Sequence, residues 1–206
     1  MRIRKKKWVA PFLENEERYL VRGALKNQEG YKTVYLELGM GMGDFIAQSA
    51  IREPEVLFIG YEKEATCVAK AIQKFEANDL KNVKVILADV KDILDIVPLK
   101  VDRIYLQFSD PWPKSGYQKR RLTHENFLKI YDQILKDDGL IVFKTDNSAF
   151  FDFSIMSFLD HGYKMVAFST DRHRKENDDV LTGYESKFIE KGMPIYFASF
   201  KKGQVV

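Results

Sequence analysis

The sequence is poor in cysteine and has no long apolar run, and each shortage excludes a class of protein. Its 206 residues contain a single cysteine, Cys67, so the chain cannot form an internal disulfide and fits a reducing compartment. No stretch approaches the roughly 18 consecutive apolar residues of a membrane-spanning helix. The basic start MRIRKKKW is not followed by the apolar segment of a secretory signal. We therefore expect a cytoplasmic protein that has no membrane partner.

The sequence also lacks the residue spacing of a metal site. Its three histidines are scattered, and together with the lone cysteine they form no set of metal ligands. Hydrophobic residues make up 45% and charged residues 31%, which is the balance of an ordinary globular domain. We expect a single domain over residues 1–206 that holds no metal ion and exists as a monomer or a homodimer.

The net charge of +3 is small, but the basic residues are concentrated in three clusters. Such clusters can bind a phosphate backbone, although any one of them alone would be interpreted as solvated surface. The first cluster is expected to belong to a flexible basic arm over residues 1–20. The clusters are Arg2, Arg4, Lys5, Lys6 and Lys7; Lys114, Lys119, Arg120 and Arg121; and Arg172, His173, Arg174 and Lys175.

Apolar residues alternate between the strand period and the helix period along the chain. A turn over Asp137, Asp138 and Gly139 is expected to introduce the fifth strand. This alternation predicts right-handed crossovers, a mainly parallel sheet with helices on both faces, and ligands at the carboxyl ends of the strands. Strands are predicted at 33–38, 56–62, 83–88, 101–108, 140–145, 163–169 and 194–200, and helices at about 45–53, 65–75, 123–135 and 148–160.

A glycine-rich loop follows the first strand. Gly39, Gly41 and Gly43 stand at alternate positions, which differs from the G-x-G-x-x-G spacing of dinucleotide-binding proteins. Glu37 precedes the loop inside an apolar strand. Its negative charge would repel a pyrophosphate but would suit a positively charged ligand. A nicotinamide-dependent dehydrogenase is therefore disfavoured.

Two further acids stand where the next two strands end. Glu62 ends the second strand, where a carboxylate can accept hydrogen bonds from ribose hydroxyls. Asp89 follows the third strand and could contact an adenine edge. Each acid alone could be a helix cap. Together with Glu37 they predict a pocket for a nucleoside that carries positive charge and no phosphate, which describes S-adenosylmethionine.

The end of the fourth strand carries the most distinctive motif, Ser109-Asp110-Pro111-Trp112-Pro113-Lys114. Two prolines around a tryptophan stiffen the loop, which would hold Asp110 at the mouth of the cofactor pocket. The alternative is a rigid turn in which Trp112 is simply packed in the core. The second basic cluster follows this motif directly and would place positive charge beside the reactive centre.

Two polar motifs come later in the chain. Lys144-Thr145-Asp146-Asn147 follows the fifth strand, and Thr182-Gly183-Tyr184-Glu185 joins a polar loop to the last strands. Tyr184 could stack on a base, and Asp146 or Glu185 could accept protons from the Watson–Crick edge of guanine, whose N1 and N2 are donors. Taken by themselves, these residues would be interpreted as capping and turn residues.

These motifs, which extend over essentially the whole chain, resemble those of the bacterial tRNA (guanine-N7-)-methyltransferases. The string Ser-Asp-Pro-Trp-Pro-Lys followed by Arg120-Arg121-Leu122 is the most specific part. Gln107 stands where the family pattern has asparagine, and Met40 and Met42 fill variable positions of the glycine loop. The resemblance implies a single α/β, Rossmann-like class I methyltransferase domain, with a mainly parallel seven-stranded sheet and an antiparallel last strand.

The resemblance also implies a reaction and roles for individual residues. A methyl group would pass from S-adenosyl-L-methionine, leaving S-adenosyl-L-homocysteine, to N7 of guanosine 46 in the variable loop of tRNA. Asp110 would be catalytic, and the sequence leaves open whether it acts by charge or only by positioning. The cofactor would be bound by Glu37, Gly39, Gly41, Gly43, Glu62, Asp89 and Asp110. The tRNA would be bound by Lys114, Lys119, Arg120, Arg121, Asp146, Thr182, Gly183, Tyr184 and Glu185.

Two other functions remain open at this point. The Ser-Asp-Pro-Trp loop is similar to the Asn/Asp-Pro-Pro-aromatic loop of enzymes that methylate exocyclic amines of DNA and RNA. A non-catalytic RNA-binding module that keeps the cofactor fold is the more distant alternative, and the complete set of acids disfavours it. The position of the transferred methyl group would distinguish these functions.

Overall fold

The computed structural model describes residues 6–25, 30–97, 99–173 and 180–203. The chain divides into two compact units, Met1–Leu99 and Lys100–Val206. No helix within the described ranges combines the length and the apolar character that a bilayer crossing requires. Five members of the basic clusters lie outside the described residues: Arg2, Arg4, Lys5, Arg174 and Lys175.

Within the described residues, the first unit contains three parallel strands, whose predicted bounds are confirmed to within one residue. In strand β2, every residue from Val56 to Tyr61 is buried, as expected for a parallel strand that is covered on both faces. The strands are β1 (Thr33–Leu38), β2 (Val56–Glu62) and β3 (Val83–Leu87). The helices are α1 (Val9–Glu14), α2 (Asp44–Arg52), α3 (Ala65–Ala77) and α4 (Ile93–Ile96), with a 3-10 turn at Val90–Asp92 before α4.

Part of the N-terminal segment is packed into the first unit. Val9 and Leu13 of α1 are buried, and Tyr19 is 1% exposed. The Tyr19 hydroxyl donates to the Leu80 carbonyl at 3.0 Å, and Leu20 forms a parallel bridge with Val85 of β3. Val9, Leu13, Tyr19 and Leu20 are therefore packed in the first unit, and the flexibility of the arm over residues 1–20 stays a prediction.

The described part of the second unit contains four strands, three α-helices and one 3-10 helix. β4 pairs with β5 in parallel, whereas β7 is antiparallel to both β5 and β6. All seven strands belong to one sheet in the order β3-β2-β1-β4-β5-β7-β6, which confirms the predicted mixed sheet with an antiparallel last strand. The elements are β4 (Val101–Gln107), a 3-10 helix (Ser115–Arg120), α5 (Glu125–Ile134), β5 (Leu135–Thr145), α6 (Ser148–Asp160), β6 (Lys164–Ser169), α7 (Gly183–Glu190) and β7 (Tyr196–Lys201).

The turn predicted at 137–139 is wrong, because these residues form a bulge inside β5. Leu135 pairs with Val101, and the next pair joins Leu140 to Arg103, so residues 136–139 face a single residue of β4. The Lys136 ammonium lies 2.7 Å from the Asp102 carboxylate and ties the bulge to β4. A bulge and a turn both favour Asp and Gly, which is why the sequence did not distinguish them.

Helix α7 was not predicted. The sequence Thr182-Gly183-Tyr184-Glu185 was assigned to a connection, but Thr182 is the N-cap of α7 and Glu185 completes a capping box with it. The Thr182 hydroxyl accepts from the Glu185 amide at 3.2 Å, and the Thr182 amide donates to the Glu185 carboxylate at 3.0 Å. The capping interpretation of these residues is therefore correct, and the helix that they begin was missed.

Candidate active site

The glycine loop of the first unit has three residues with positive φ. Gly39, Gly41 and Gly43 have φ values of 79°, 54° and 70°, which side chains rarely allow. A Cβ on Gly43 would lie 2.7 Å from the Phe75 ring of α3, whereas a Cβ on Gly41 would meet nothing within 4 Å. A glycine is therefore needed at position 43 so that the loop can pack against α3. At Gly41 the backbone of the loop is open, and a ligand can approach it closely.

Glu62 holds this loop by a direct hydrogen bond. Its Oε2 accepts from the Gly41 amide at 3.0 Å. Its Oε1 accepts from the amides of Lys63 and Glu64, at 2.8 and 2.9 Å. A carboxylate has about four acceptor positions, so Glu62 can accept from a further donor while it keeps the loop in place.

Asp89 lies at the end of β3 and is exposed. One of its oxygens accepts from the Lys91 amide at 3.1 Å and caps the 3-10 turn. The Tyr61 hydroxyl donates to the Asp89 carbonyl at 3.0 Å. Burial and nearby acids raise the pKa of Tyr61 well above its ordinary value, so the phenol stays protonated and this link is kept. The Asp89 carboxylate keeps acceptor capacity for a ligand.

Glu37 is almost fully buried, with 4% of its surface exposed, next to Gly60 of β2 in the strand register. The side chain of Met40 covers Gly60, since a Cβ there would lie 2.1 Å from the Met40 sulfur. The first unit thus brings together the predicted cofactor residues of β1 and β2 around one loop. Carboxylates at the ends of three successive strands fit a nucleoside that carries positive charge.

The Ser109–Lys114 motif of the second unit forms a loop with a constrained backbone. Phe108 and Trp112 have positive φ values, 50° and 40°, which are unusual for bulky side chains. The Phe108 amide donates to the Lys144 carbonyl at 2.9 Å and fixes the start of the loop. Between the two strained residues, Asp110 is exposed.

Arg121 does not lie on the surface with the rest of its basic cluster. It is 7% exposed, and burial lowers the pKa of its guanidinium. Its Nε donates to the Pro111 carbonyl at 2.8 Å, and its Nη2 donates to the Trp112 carbonyl at 3.1 Å. The guanidinium also lies 4.3 Å from the Phe153 ring centroid. A phosphate contact predicted for Arg121 conflicts with this burial, because the side chain is occupied by the loop.

The other basic residues of the cluster, Lys114, Lys119 and Arg120, are exposed. The Arg120 guanidinium lies 5.0 Å from the ring centroid of Trp112 and 4.6 Å from that of Tyr117. The two rings are themselves 6.0 Å apart in an edge arrangement. Trp112 is half-buried, so it is neither a core residue nor fully solvated.

The polar residues at the end of β5 and the start of α7 form a buried cluster. The Lys144 ammonium lies 3.0 Å from Glu185 Oε1, and His173 Nε2 lies 3.3 Å from the same oxygen. The other oxygen of Glu185 accepts from the amide and the hydroxyl of Thr182. Glu185 is 0% exposed, so contact with a guanine edge would require these bonds to open. Lys144 and His173 were not predicted as its partners.

Asp146 and Tyr184 lie beside this cluster and are accessible. The Tyr184 hydroxyl donates to Asp146 Oδ2 at 3.3 Å, and burial together with Asp146 raises the pKa of Tyr184 to about 12. The Tyr184 ring is 45% exposed and packs at 4.8 Å from the rings of both Phe108 and Phe188. Gly183 is the first residue of α7, and a Cβ there would meet nothing within 4 Å.

Comparison with known proteins identifies the family. A family model described as "Putative methyltransferase" matches residues 31–198. A tRNA (guanine-N(7)-)-methyltransferase of Staphylococcus epidermidis is 40% identical over 204 residues, covering 95% of each chain. The enzyme of the same name from Macrococcus caseolyticus is 38% identical over 203 residues, covering 95% of this chain and 97% of its own. The chain belongs to the tRNA (guanine-N7-)-methyltransferase family.

Membership in this family makes the protein a methyltransferase, and the fold agrees. The crystal structure of the 16S rRNA methyltransferase KamB superposes with a TM-score of 0.63 at 12% identity, covering 85% of this chain and 90% of that chain. This likeness concerns the fold alone. In the described part of this methyltransferase, no group of three or more His, Cys, Asp or Glu side chains is arranged to hold a metal ion.

Two polar residues at the end of β4 and in the loop that follows it were not predicted to have a role. Gln107 is 7% exposed, and neither atom of its amide has a hydrogen-bond partner among the described residues. The Ser109 hydroxyl is likewise buried, and no hydrogen bond to another described group reaches it. Buried polar atoms are nearly always paired. Since Gln107 is at the carboxyl end of β4 and Ser109 directly precedes Asp110, both are candidates for ligand contacts.

Proposed function

We propose that the protein transfers a methyl group from S-adenosyl-L-methionine to N7 of a guanine in tRNA, specifically guanosine 46 of the variable loop. The observation that carries the proposal furthest is the position of Asp110. It is the exposed carboxylate of a loop whose backbone is held on one side by the Lys144 carbonyl and on the other by the Arg121 guanidinium. An acid held in this way can act on a ligand without reorganising.

The first unit supplies the residues that would hold the cofactor. Glu62 would accept hydrogen bonds from the ribose, Asp89 would contact the adenine edge, and Glu37 would face the positively charged part. The open side of Gly41 would allow close approach to the glycine loop. When bound, the cofactor supplies a methyl group that its sulfonium has already activated.

Guanine N7 has a lone pair and no proton, so its methylation needs no general base. The work of the protein is then to align the base with the methyl group and to stabilise charge. The purine becomes cationic as it reacts. Asp110 would stabilise that charge and position the base, without accepting a proton.

The second unit supplies groups suited to RNA. Lys114, Lys119 and Arg120 are exposed cations that can neutralise phosphates, with an affinity that falls as salt rises. Tyr184 offers a partly exposed ring that could flank a guanine drawn out of its stack, and Asp146 an acceptor for its N1 and N2 protons. These assignments follow the chemistry of the side chains that are accessible.

The proposal is tested by the identity of the product. Unmodified tRNA transcript is incubated with the purified protein and methyl-labelled S-adenosylmethionine, digested to nucleosides, and separated by liquid chromatography with mass spectrometry. We expect the label in 7-methylguanosine. Label in N2-methylguanosine or in a methylated exocyclic amine of another base would instead support a methyltransferase with a different target, and absence of label with tight tRNA binding would support a non-catalytic module.

A further inference from the structure

Adjacent arginines in the basic cluster have opposite environments. Arg120 is exposed and stacks on two aromatic rings, whereas Arg121 is 7% exposed. The sequence Lys119-Arg120-Arg121 gives no sign of this difference, since both arginines follow the same motif. The structure therefore divides the cluster into residues that solvent and RNA can reach and one that they cannot.

Within the described residues, the side chain of Arg121 contacts the loop that carries Asp110 and helix α6. The planar guanidinium donates to two successive carbonyls, those of Pro111 and Trp112, at 2.8 and 3.1 Å. Its flat face lies over Phe153 of α6, 4.3 Å from the ring centroid. A rigid fork of this kind holds both acceptors in a fixed relation, which a single ammonium cannot do.

The two carbonyls belong to the strained end of the loop. Trp112 has a φ of 40°, a conformation that a bulky residue keeps only when its surroundings impose it. Pro111 directly follows Asp110, so a rotation of the Pro111 or Trp112 peptide would turn the Asp110 carboxylate. The Arg121 fork opposes this rotation from one side, as the Lys144 carbonyl does at Phe108.

We propose that Arg121 is a positioning residue that fixes the Pro111–Trp112 backbone and thereby the orientation of Asp110, and that it does not contact tRNA. The inference rests on the proposed function insofar as Asp110 acts in methyl transfer. Under this proposal Arg121 affects the rate of methyl transfer, whereas Arg120 contributes to the binding of tRNA.

The adjacent arginines provide matched variants. In Arg121→Met, kcat should fall on the order of 10- to 100-fold, because small displacements of a reacting group have effects of this size. The KM for tRNA and the slope of log KM against log salt should stay as in the wild type. Arg121→Lys retains the charge but not the planar fork, so its kcat should lie between that of Arg121→Met and that of the wild type. Arg120→Met should raise the KM and reduce the salt slope by about 1.

A fluorescence readout tests the clamp independently of methylation. The chain has two tryptophans, so a Trp8→Phe background leaves Trp112 as the single emitter. We expect faster anisotropy decay of Trp112 in Arg121→Met and in Arg121→Lys than in the Trp8→Phe parent. All measurements are made below the onset of thermal unfolding of each variant, and Arg121→Lys is decisive if Arg121→Met does not fold.

The inference is overturned if an Arg121 variant keeps the wild-type kcat, if it raises the KM and flattens the salt slope as Arg120→Met does, or if the Trp112 anisotropy is unchanged. The wild-type product analysis decides the proposed function separately. A protein that methylates another atom would still show the Trp112 effect, so failure of one idea is not mistaken for failure of the other.

Discussion

Lys144 and Glu185 form an ion pair that solvent hardly reaches: the ammonium lies 3.0 Å from the carboxylate, and their side chains are 4% and 0% exposed. The pair joins the carboxyl end of β5 to the first turn of α7. His173 lies 3.3 Å from the same Glu185 oxygen, and Thr182 donates to the other, so both carboxylate oxygens have partners. This cluster fixes the start of the helix that presents Tyr184.

Removing one member of this pair should destabilise the fold strongly. Lys144→Met leaves a buried carboxylate without its cation, and we expect the free energy of unfolding to fall by about 3–5 kcal/mol. Urea denaturation followed by circular dichroism measures it. The control is Lys129→Met, because Lys129 and Glu125 form a pair with side chains that are 60% and 58% exposed. Similar effects in the two variants would contradict the structural role of the buried pair.

Gln107 should show a conflict between stability and activity. Its buried amide has no hydrogen-bond partner among the described residues, so Gln107→Met, which keeps the shape, should raise the free energy of unfolding by about 1–3 kcal/mol. If the amide contacts a ligand, the same variant should lose kcat/KM. Gln133→Met on the exposed face of α5 is the control and should change neither quantity. A destabilised Gln107→Met would mean that the amide has a partner within the protein.

Glu62 should bind the ribose, which S-adenosylmethionine and S-adenosylhomocysteine have in common. We expect Glu62→Gln to weaken the binding of S-adenosylmethionine and of S-adenosylhomocysteine by the same factor, because their ribose groups are identical. Isothermal titration calorimetry with each compound measures the two affinities. A loss confined to S-adenosylmethionine would place Glu62 near the sulfonium and contradict the ribose assignment.

The Tyr184 ring and its hydroxyl should be separable. Tyr184→Ala should raise the KM for tRNA by roughly five-fold to a hundred-fold, the equivalent of about 1–3 kcal/mol of stacking, whereas Tyr184→Phe should have a smaller effect.

Because the pKa of Tyr184 is raised to about 12 from 10, the hydroxyl stays protonated in the folded state while an unfolded chain begins to ionise. The Tyr184 hydroxyl therefore makes its full contribution to the free energy of unfolding below about pH 10, and this contribution is lost as the pH rises toward 12.

A pH series checks this sign. The difference in free energy of unfolding between the wild type and Tyr184→Phe should be constant from about pH 7 to pH 9, since neither state ionises there. Between pH 10 and pH 12 the difference should decline, because the phenol ionises there in the unfolded state and not in the folded one. A difference that stays constant up to pH 12 would show that the folded phenol ionises at its ordinary pKa. Equal KM values for the Ala and Phe variants would remove the ring from RNA binding.

Charge at Asp110 should matter for the chemical step. In Asp110→Asn the size and position of the side chain are kept, so a fall in kcat on the order of 10²- to 10³-fold would report the loss of electrostatic stabilisation. Single-turnover rates with saturating tRNA separate this effect from binding. A rate equal to that of the wild type would leave Asp110 with positioning alone, or with no part in the reaction.

The sequence predicted the parallel strands well because buried runs such as Val56–Tyr61 have one clear interpretation. It missed α7 because that helix buries only Glu185, so no apolar period marks it. The β5 bulge was taken for a turn since both need the same residue types. The sequence could not show that Arg120 is exposed and Arg121 buried. This difference depends on where Phe153 and the Pro111 carbonyl lie in the folded protein, and two adjacent arginines contain no information about that.

The central claim, that the protein methylates N7 of guanosine 46, depends on a single atom of the substrate. A tRNA assembled with 7-deazaguanosine at position 46 has carbon in place of that nitrogen and therefore no lone pair to methylate. With labelled cofactor and purified protein, we expect this tRNA to bind like the normal transcript and to gain no methyl group. Methyl incorporation at the wild-type rate would contradict it.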